Sequence, residues 1–419
     1  MRPGSTYLAA SAVGALATAN AYRPASRTGG VSLAAFASGV VTSELPFLNV
    51  AGHGLATAGM AIARRKGLRS PAGKLGLALS AASSAGLVGL HREAQRSRET
   101  LESALVDELG ADYRKRMAEA FAPPADIAFS RRQVLLPTSG LRRRYGSVRN
   151  LSYGEFGRRN RLDIWRRADL PADAAAPVLL QVHGGAWVMG QKEGQGHPLM
   201  GHLADRGWVC VTINYRLSPR ATWPDHIVDV KRAIAWVRAN IAEHGGDPDF
   251  LTITGGSAGG HLSSLAALSA NDPAFQPGFE EADTTVQAAV PFYGVYDFTN
   301  RDATGRADLA DFLAARVFKT SLADDTERWD QASPMSRVRA DAPPFFILHG
   351  TNDSLVPIEQ ARAFADLLRK ESTNPVVFAE LARAQHAFDV FGSIRATHAA
   401  RAVDRFLAVV RSDQHQSDH

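Results

Sequence analysis

A glycine-framed serine, Gly255-Gly256-Ser257-Ala258-Gly259, follows directly on the apolar run Phe250-Leu251-Thr252-Ile253-Thr254. Residues 258–268 after it are helix-forming. A G-x-S-x-G between a buried strand and a helix is a nucleophile elbow, a sharp turn that lifts a hydroxyl above a sheet. The outer glycines allow a backbone path that side chains would obstruct. This junction requires a strand that ends where a helix begins. It therefore points to an open α/β sheet with its working residues at the strand carboxyl ends. It also makes a demand on the rest of the chain. An oxyanion loop should precede the elbow, and an acid and a histidine should follow it in that order.

From about residue 130 the chain meets that demand. Residues 133–137 and 150–154 read as edge strands, and 161–165 alternates like a half-exposed one. The runs 178–182 and 209–214 are short and continuously apolar, as strands buried on both faces should be. Residues 251–254, 288–292, 345–348 and 376–378 continue the series. Between two of these runs, Ile227, Val230, Ile234, Val237 and Ile241 recur at helical spacing. The expected fold is a mostly parallel, eight-stranded, doubly wound sheet over residues 129–412, with a polar, disordered tail at 413–419.

His183-Gly184-Gly185-Ala186-Trp187 follows the first buried strand. Backbone N–H groups of Gly184, Gly185 and Ala186, together with Ala258, are the candidate oxyanion donors. Each such donor is worth roughly 3 kcal/mol of barrier. Asp353 stands in a polar loop after strand 345–348, and His386 stands in the loop after the last strand. Ser257, Asp353 and His386 are thus the candidate catalytic residues. Asp297, at the end of the preceding strand, competes for the acid role. The loop Gly350-Thr351-Asn352-Asp353 favours Asp353, because it leaves the carboxylate free to turn inward. His226, His261 and His349 read as structural, and His183 as a hydrogen bonder that orients its loop. There is no H-E-x-x-H, no paired cysteine and no G-K-[ST] phosphate cradle, so neither metal nor cofactor is expected. The one cysteine, Cys210, sits in an apolar run and reads as a buried hydrophobe.

Charge separates the first quarter from the rest. Residues 1–100 hold 11 Lys/Arg against 3 Asp/Glu, whereas the remainder holds 36 against 39. A basic flank on a slightly acidic domain argues against a nucleic-acid partner, which would require basic charge on the domain itself. Residues 3–22, 28–43, 45–63 and 75–90 carry no Asp, Glu, Lys or Arg. At 16 to 20 residues, these runs approach the length of a bilayer span, about 20 residues. Residues 1–90 are therefore expected to be membrane-embedded helices, with a soluble helical cap or a signal peptide at 1–22 as the alternatives. The cluster Arg64-Arg65-Lys66, with Arg69 and Lys74, belongs in the cytoplasm by the positive-inside rule. A span at 75–90 then puts the larger domain on the extracytoplasmic face; Arg92, Arg96 and Arg98 after that run keep the cytoplasmic side as the alternative. Residues 91–128 read as an amphipathic linker or cap helix, with Leu101, Leu105, Leu109 and Tyr113 on one stripe and Pro123-Pro124 as its stop.

Taken together, HGGAW at 183–187, NYRLSP at 214–219, GGSAGG at 255–260, HGTND at 349–353 and QHAF at 385–388 resemble the α/β-hydrolase superfamily. The likeness is to the hormone-sensitive-lipase-like carboxylesterases, over about 150–410. It implies a serine carboxylesterase or lipase acting on a small-molecule or lipid-like ester through Ser257, Asp353 and His386. Two positions depart from that pattern. Ala186-Trp187 stands where a third glycine is usual, and Gly256 where an acidic residue is usual. The HGG-x-W form is similar to kynurenine formamidases, prenylcysteine methylesterases and feruloyl-type esterases, which keeps an amidase as the alternative. A catalytically silent binding module is the distant one. The long Ala-rich N-terminal section resembles that of membrane-associated mycobacterial carboxylesterases.

Overall fold

The computed structural model describes residues 3–63, 65–117 and 145–417. Helices α1 (Pro3–Tyr22), α2 (Gly29–Glu44), α3 (Pro46–Ala63), the short α4 (Arg65–Leu68) and α5 (Pro71–Leu109) come first, followed by α6 (Tyr113–Arg116). Then come β1 (Gly146–Ser152), β2 (Arg161–Trp165), β3 (Ala176–Val182), β4 (Val209–Ile213), β5 (Gly246–Gly256), β6 (Ala288–Phe292), β7 (Phe345–Gly350) and β8 (Val376–Leu381). They form one sheet in the order β1-β2-β4-β3-β5-β6-β7-β8. The pairs β1/β2 and β2/β4 are antiparallel, and every other pair is parallel. The expected edge strand 133–137 lies outside the described residues.

β3, β4 and β6 are buried at every position, because helices cover both faces of the sheet. One face packs under α8 (Asp225–Asn240), α9 (Ala258–Leu268) and α12 (Ile358–Glu371), with the short α10 (Ala307–Leu313) and α11 (Thr326–Gln331) between the last two in the chain. There Ile227, Leu262 and Phe364 meet Leu180, Ile253 and Phe345. The other face packs under α7 (His197–Asp205) and α13 (Ile394–Ser417), and also under the second half of α5. The stripe Leu101, Leu105, Leu109 and Tyr113 lies here against Phe346, Val377 and Phe406.

Three expectations change. The boundary drawn at residue 90 falls inside α5, one continuous helix of 39 residues. That helix ends at Gly110, whose φ of 90° breaks it, well before Pro123-Pro124, which lie outside the described residues. The tail from 413 is helical as far as Ser417, and an Arg116–Asp413 ion pair ties it to α6.

The N-terminal bundle joins its helices by polar contacts beside a small apolar cluster of Ala21, Leu87 and Leu90, and it carries apolar side chains outside. Thr18 Oγ1 and Ser83 Oγ are 2.7 Å apart, and Ser83 and Ser80 reach the two ring nitrogens of His53 at 2.9 and 3.1 Å. Small residues allow this approach: a Cβ on Gly76 would stand 2.8 Å from the Tyr7 ring. Outside, Val13, Leu16, Leu55 and Ile62 are exposed, Ile62 by 86%. Among the described residues α5 alone is long and apolar enough to cross a membrane, and α2 with α3 qualifies as a pair bent by 91°. The N-terminus of α1 lies beside Ser70. Its other end meets the sheet domain, where Asn352 Nδ2 donates to Ala21 O and Tyr22 O at 2.8 and 2.9 Å. The stretch 65–74 thus sits at the end of the bundle away from the sheet.

Candidate active site

Strand register lines up five loops. Gly255 of β5 pairs with Val182 of β3 and Pro291 of β6, Phe292 pairs with Leu348 of β7, and Gly350 pairs with Leu381 of β8. The loops after these strands begin at His183, Ser257, Tyr293, Thr351 and Ala382. The chain adds β4 on one side of β3 and β5 on the other, so β3/β5 is the switch point where such sheets bind ligands.

Ser257 has φ 59° and ψ −120°, so the serine itself carries the strained backbone of the elbow. Conformations of this kind cost on the order of 1–3 kcal/mol and concentrate at functional sites. The glycines serve close approach instead. A Cβ on Gly259 would lie 2.1 Å from Val182 O, and one on Gly255 would lie 2.5 Å from Gly259 O. The Ser257 N–H donates to Phe292 O at 3.0 Å, which fixes the turn to β6. α9 begins at Ala258, whose N–H is one of the unpaired donors of a helix start.

The 183–190 loop is also strained. Gly185 has φ 126°, and Ala186 and Trp187 have φ 53° and 60°. Burial of Trp187 holds this path. Its Nε1 donates to His261 Nδ1 at 3.1 Å and its ring meets Phe298 at 5.3 Å. His261 in turn donates from Nε2 to Ala332 O at 2.8 Å. Burial lowers the His261 pKa to about 4, so the ring stays neutral, with one nitrogen accepting and one donating. His183 donates from Nδ1 to Gly184 O at 2.8 Å and stacks on Tyr215, and burial lowers it likewise to about 4. One expected donor is already engaged: the Gly184 N–H donates to Gln195 Oε1 at 2.7 Å. Among the described residues the N–H groups of Gly185, Ala186 and Ala258 have no partner.

His386 Nδ1 lies 2.6 Å from Asp353 Oδ2. An ionised carboxylate only accepts, so Nδ1 carries the proton and Nε2 is left as the basic nitrogen. Asp353 Oδ1 accepts the N–H groups of Leu355 and Val356, both at 2.8 Å. His349 Nε2 stands 3.2 Å from Oδ2. Burial pushes the Asp353 carboxyl up, but the adjoining His386 and His349 rings outweigh it and hold the group well below the ordinary range. Asp297 is turned onto its own loop, accepting from Thr299 N, Thr299 Oγ1 and Arg301 N at 3.0, 2.7 and 2.8 Å. The carboxylate at His386 is therefore Asp353. No hydrogen bond joins Ser257 Oγ to His386 among the described residues; such contacts tighten when substrate binds.

Gly256 has a steric cause. A Cβ there would stand 2.6 Å from the Tyr293 hydroxyl, which donates to Asp389 beside it. The Tyr293 ring packs 4.6 Å from His386. The phenol thus takes the room that an acidic side chain at 256 would need.

Three supporting residues were given no role by the motif reading, although Gln385 stands inside QHAF. Gln385 Oε1 accepts the N–H groups of His386 and Ser354, both at 2.8 Å, and its place beside His386 was a usable signal. Gln195 carries no such signal. Nor does Phe36, whose ring lies 5.8 Å from that of His386.

A switch-point serine elbow, a strained donor loop and a carboxylate–histidine pair on one sheet define an α/β-hydrolase. The BD-FAE family model matches residues 162–368. The probable carboxylic ester hydrolase LipM of Mycobacterium tuberculosis is 51% identical, over 97% of this chain and 94% of LipM. Esterase LipQ of the same organism is 50% identical over 78% of each chain. The butyrate-bound esterase Est2 of Thermogutta terrifontis superimposes with a TM-score of 0.54 at 28% identity, covering 62% of this chain and 93% of Est2. The chain belongs to the family of α/β-hydrolase esterases that includes LipM and LipQ.

Proposed function

We propose that this carboxylic ester hydrolase works through an acyl-enzyme on Ser257. His386 Nε2 takes the hydroxyl proton as Oγ attacks the ester carbonyl. Asp353 fixes the histidine tautomer and stabilises the imidazolium. The oxyanion is held by the N–H groups of Gly185, Ala186 and Ala258. The alcohol leaves with the proton from Nε2, and water activated by the same nitrogen releases the acid. The observation that carries this reading is the 2.6 Å Asp353–His386 bond in the row of loops that begins the elbow at Ser257. Replacing Ser257 by Ala is expected to abolish p-nitrophenyl ester turnover with circular dichroism unchanged. Wild-type turnover in that variant would overturn the assignment.

We further propose that residues 3–90 seat the enzyme in a bilayer, with the sheet domain outside the cytoplasm. Among the described residues, eleven exposed large apolar side chains lie from Val13 to Val88, an arrangement that suits lipid rather than water. The basic stretch 65–74 at the far end of the bundle supports the orientation. A reporter fused after residue 419 should be active only on the extracytoplasmic side; cytoplasmic activity would reverse the topology.

A further inference from the structure

α2 lies between the bundle and the loops of the active site. Along it Ser32, Ala35, Gly39, Val40 and Ser43 are buried and Phe36 is half-buried, a stripe at spacings of three and four. The opposite face carries Val31, Leu33 and Val41, all exposed. The inner face rests on the acid and histidine loops. Ser354 Oγ donates to Ser32 O at 3.2 Å. A Cβ on Gly39 would stand 3.0 Å from Nε2 of Gln385, the residue that holds the His386 N–H. Phe36 meets the His386 ring edge-on, with centroids 5.8 Å apart and planes at 78°.

Both ends of α2 are pinned to the sheet domain. The Gly29 N–H donates to Asp308 Oδ2 at 2.9 Å, and Arg27 donates to Thr351 O at 3.0 Å. At the other end Glu44 is buried against Arg395 and accepts from Ser393 Oγ at 2.8 Å. The chain then turns by 91° into α3. A helix held in this way lies along the acid and histidine loops and meets α3 at about a right angle.

We propose that α2 is a wall of the substrate site and that Phe36 sets selectivity for the alcohol part of the ester. This rests on the roles given above to Ser257 and His386. As the acyl-enzyme forms, the Ser257 Oγ–carbon bond is made and the carbon–alkoxide bond breaks. The proton taken from Oγ passes from His386 Nε2 to the departing alkoxide oxygen. The alcohol therefore leaves past the imidazole, and a side chain packed on the edge of that ring borders the alcohol rather than the acyl chain. Phe36 presents an apolar surface there. The outer face of the same helix joins the exposed apolar surface of the bundle. An ester with a long apolar alcohol fits this arrangement, its alcohol lying along α2 and its carbonyl at Ser257.

The test uses the full-length protein in detergent micelles and two substrate series. One holds butyrate constant and varies the alcohol from methanol to octanol. The other holds p-nitrophenol constant and varies the acid from acetate to decanoate. Phe36→Ala is expected to lower the octyl-to-methyl ratio of kcat/KM by about tenfold while leaving the acyl-chain profile within about twofold. Phe36→Leu, which keeps apolar bulk, should restore most of the alcohol preference. An alcohol ratio unmoved in both variants, or two series that shift together, would overturn the inference. Ser257→Ala separates the two readings. Turnover surviving in Ser257→Ala refutes the nucleophile. Turnover lost there, with the Phe36 ratio unmoved, refutes only the role of α2.

Discussion

Glu44 at the end of α2 and Arg395 at the start of α13 form an ion pair in which neither side chain is exposed. Removing one partner of a buried pair leaves the other charge desolvated, at a cost of about 3–5 kcal/mol. Glu44→Gln or Arg395→Met alone should lower the urea midpoint accordingly. The double replacement should recover much of the loss. An unchanged midpoint in either single variant would show that α2 is not latched there.

The two candidate acids separate cleanly. Asp353→Asn should reduce kcat by about three to four orders of magnitude, because the amide favours the wrong histidine tautomer. Asp297→Asn should stay within a few-fold of wild type, since Asp297 serves only its own loop. Loss of activity confined to the Asp297 variant would reverse the assignment.

Gly185→Ala tests the donor loop. At φ 126° a Cβ would lie 2.2 Å from Met189 O, so the loop must move. Displacing oxyanion donors should cost about 10²-fold or more in kcat with little change in KM. Wild-type kcat would remove the loop from the mechanism.

His183, His226 and His261 are buried, and burial lowers them to about 4, 3 and 4. The unfolded chain binds their protons near pH 6.5, while the folded chain refuses them until far lower pH. Stability is therefore intact above pH 7 and falls as pH drops from 6.5 toward 4. At pH 5 the loss is about 2 kcal/mol for each ring. Urea midpoints measured at pH 7.5 and pH 5 should differ in that direction; equal midpoints would contradict it.

The sheet and the order of its working loops were legible because buried parallel strands are continuous apolar runs and the elbow motif carries its own geometry. Ser257, Asp353 and His386 announced themselves as residues at strand ends. The engagement of Gly184 by Gln195 was hidden, since a side chain eleven positions away decides whether that N–H is free. The uncharged run 28–43 held more than its composition showed. Its small residues also let α2 lie close against the histidine loop, a contact that only the fold reveals. The break expected at residue 90 marked a change of surroundings from bundle to sheet, and the helix itself runs on.

α5 extends through 39 residues, about 58 Å at 1.5 Å per residue. Its first half belongs to the bundle and its second half to the sheet core, with no flexible joint between them. With the bundle seated in a bilayer as proposed, the sheet stands at a set height and tilt above the lipid. Such an enzyme meets its substrate by sliding within a plane. Its turnover should therefore follow the surface density of ester rather than the amount dissolved in the surrounding water.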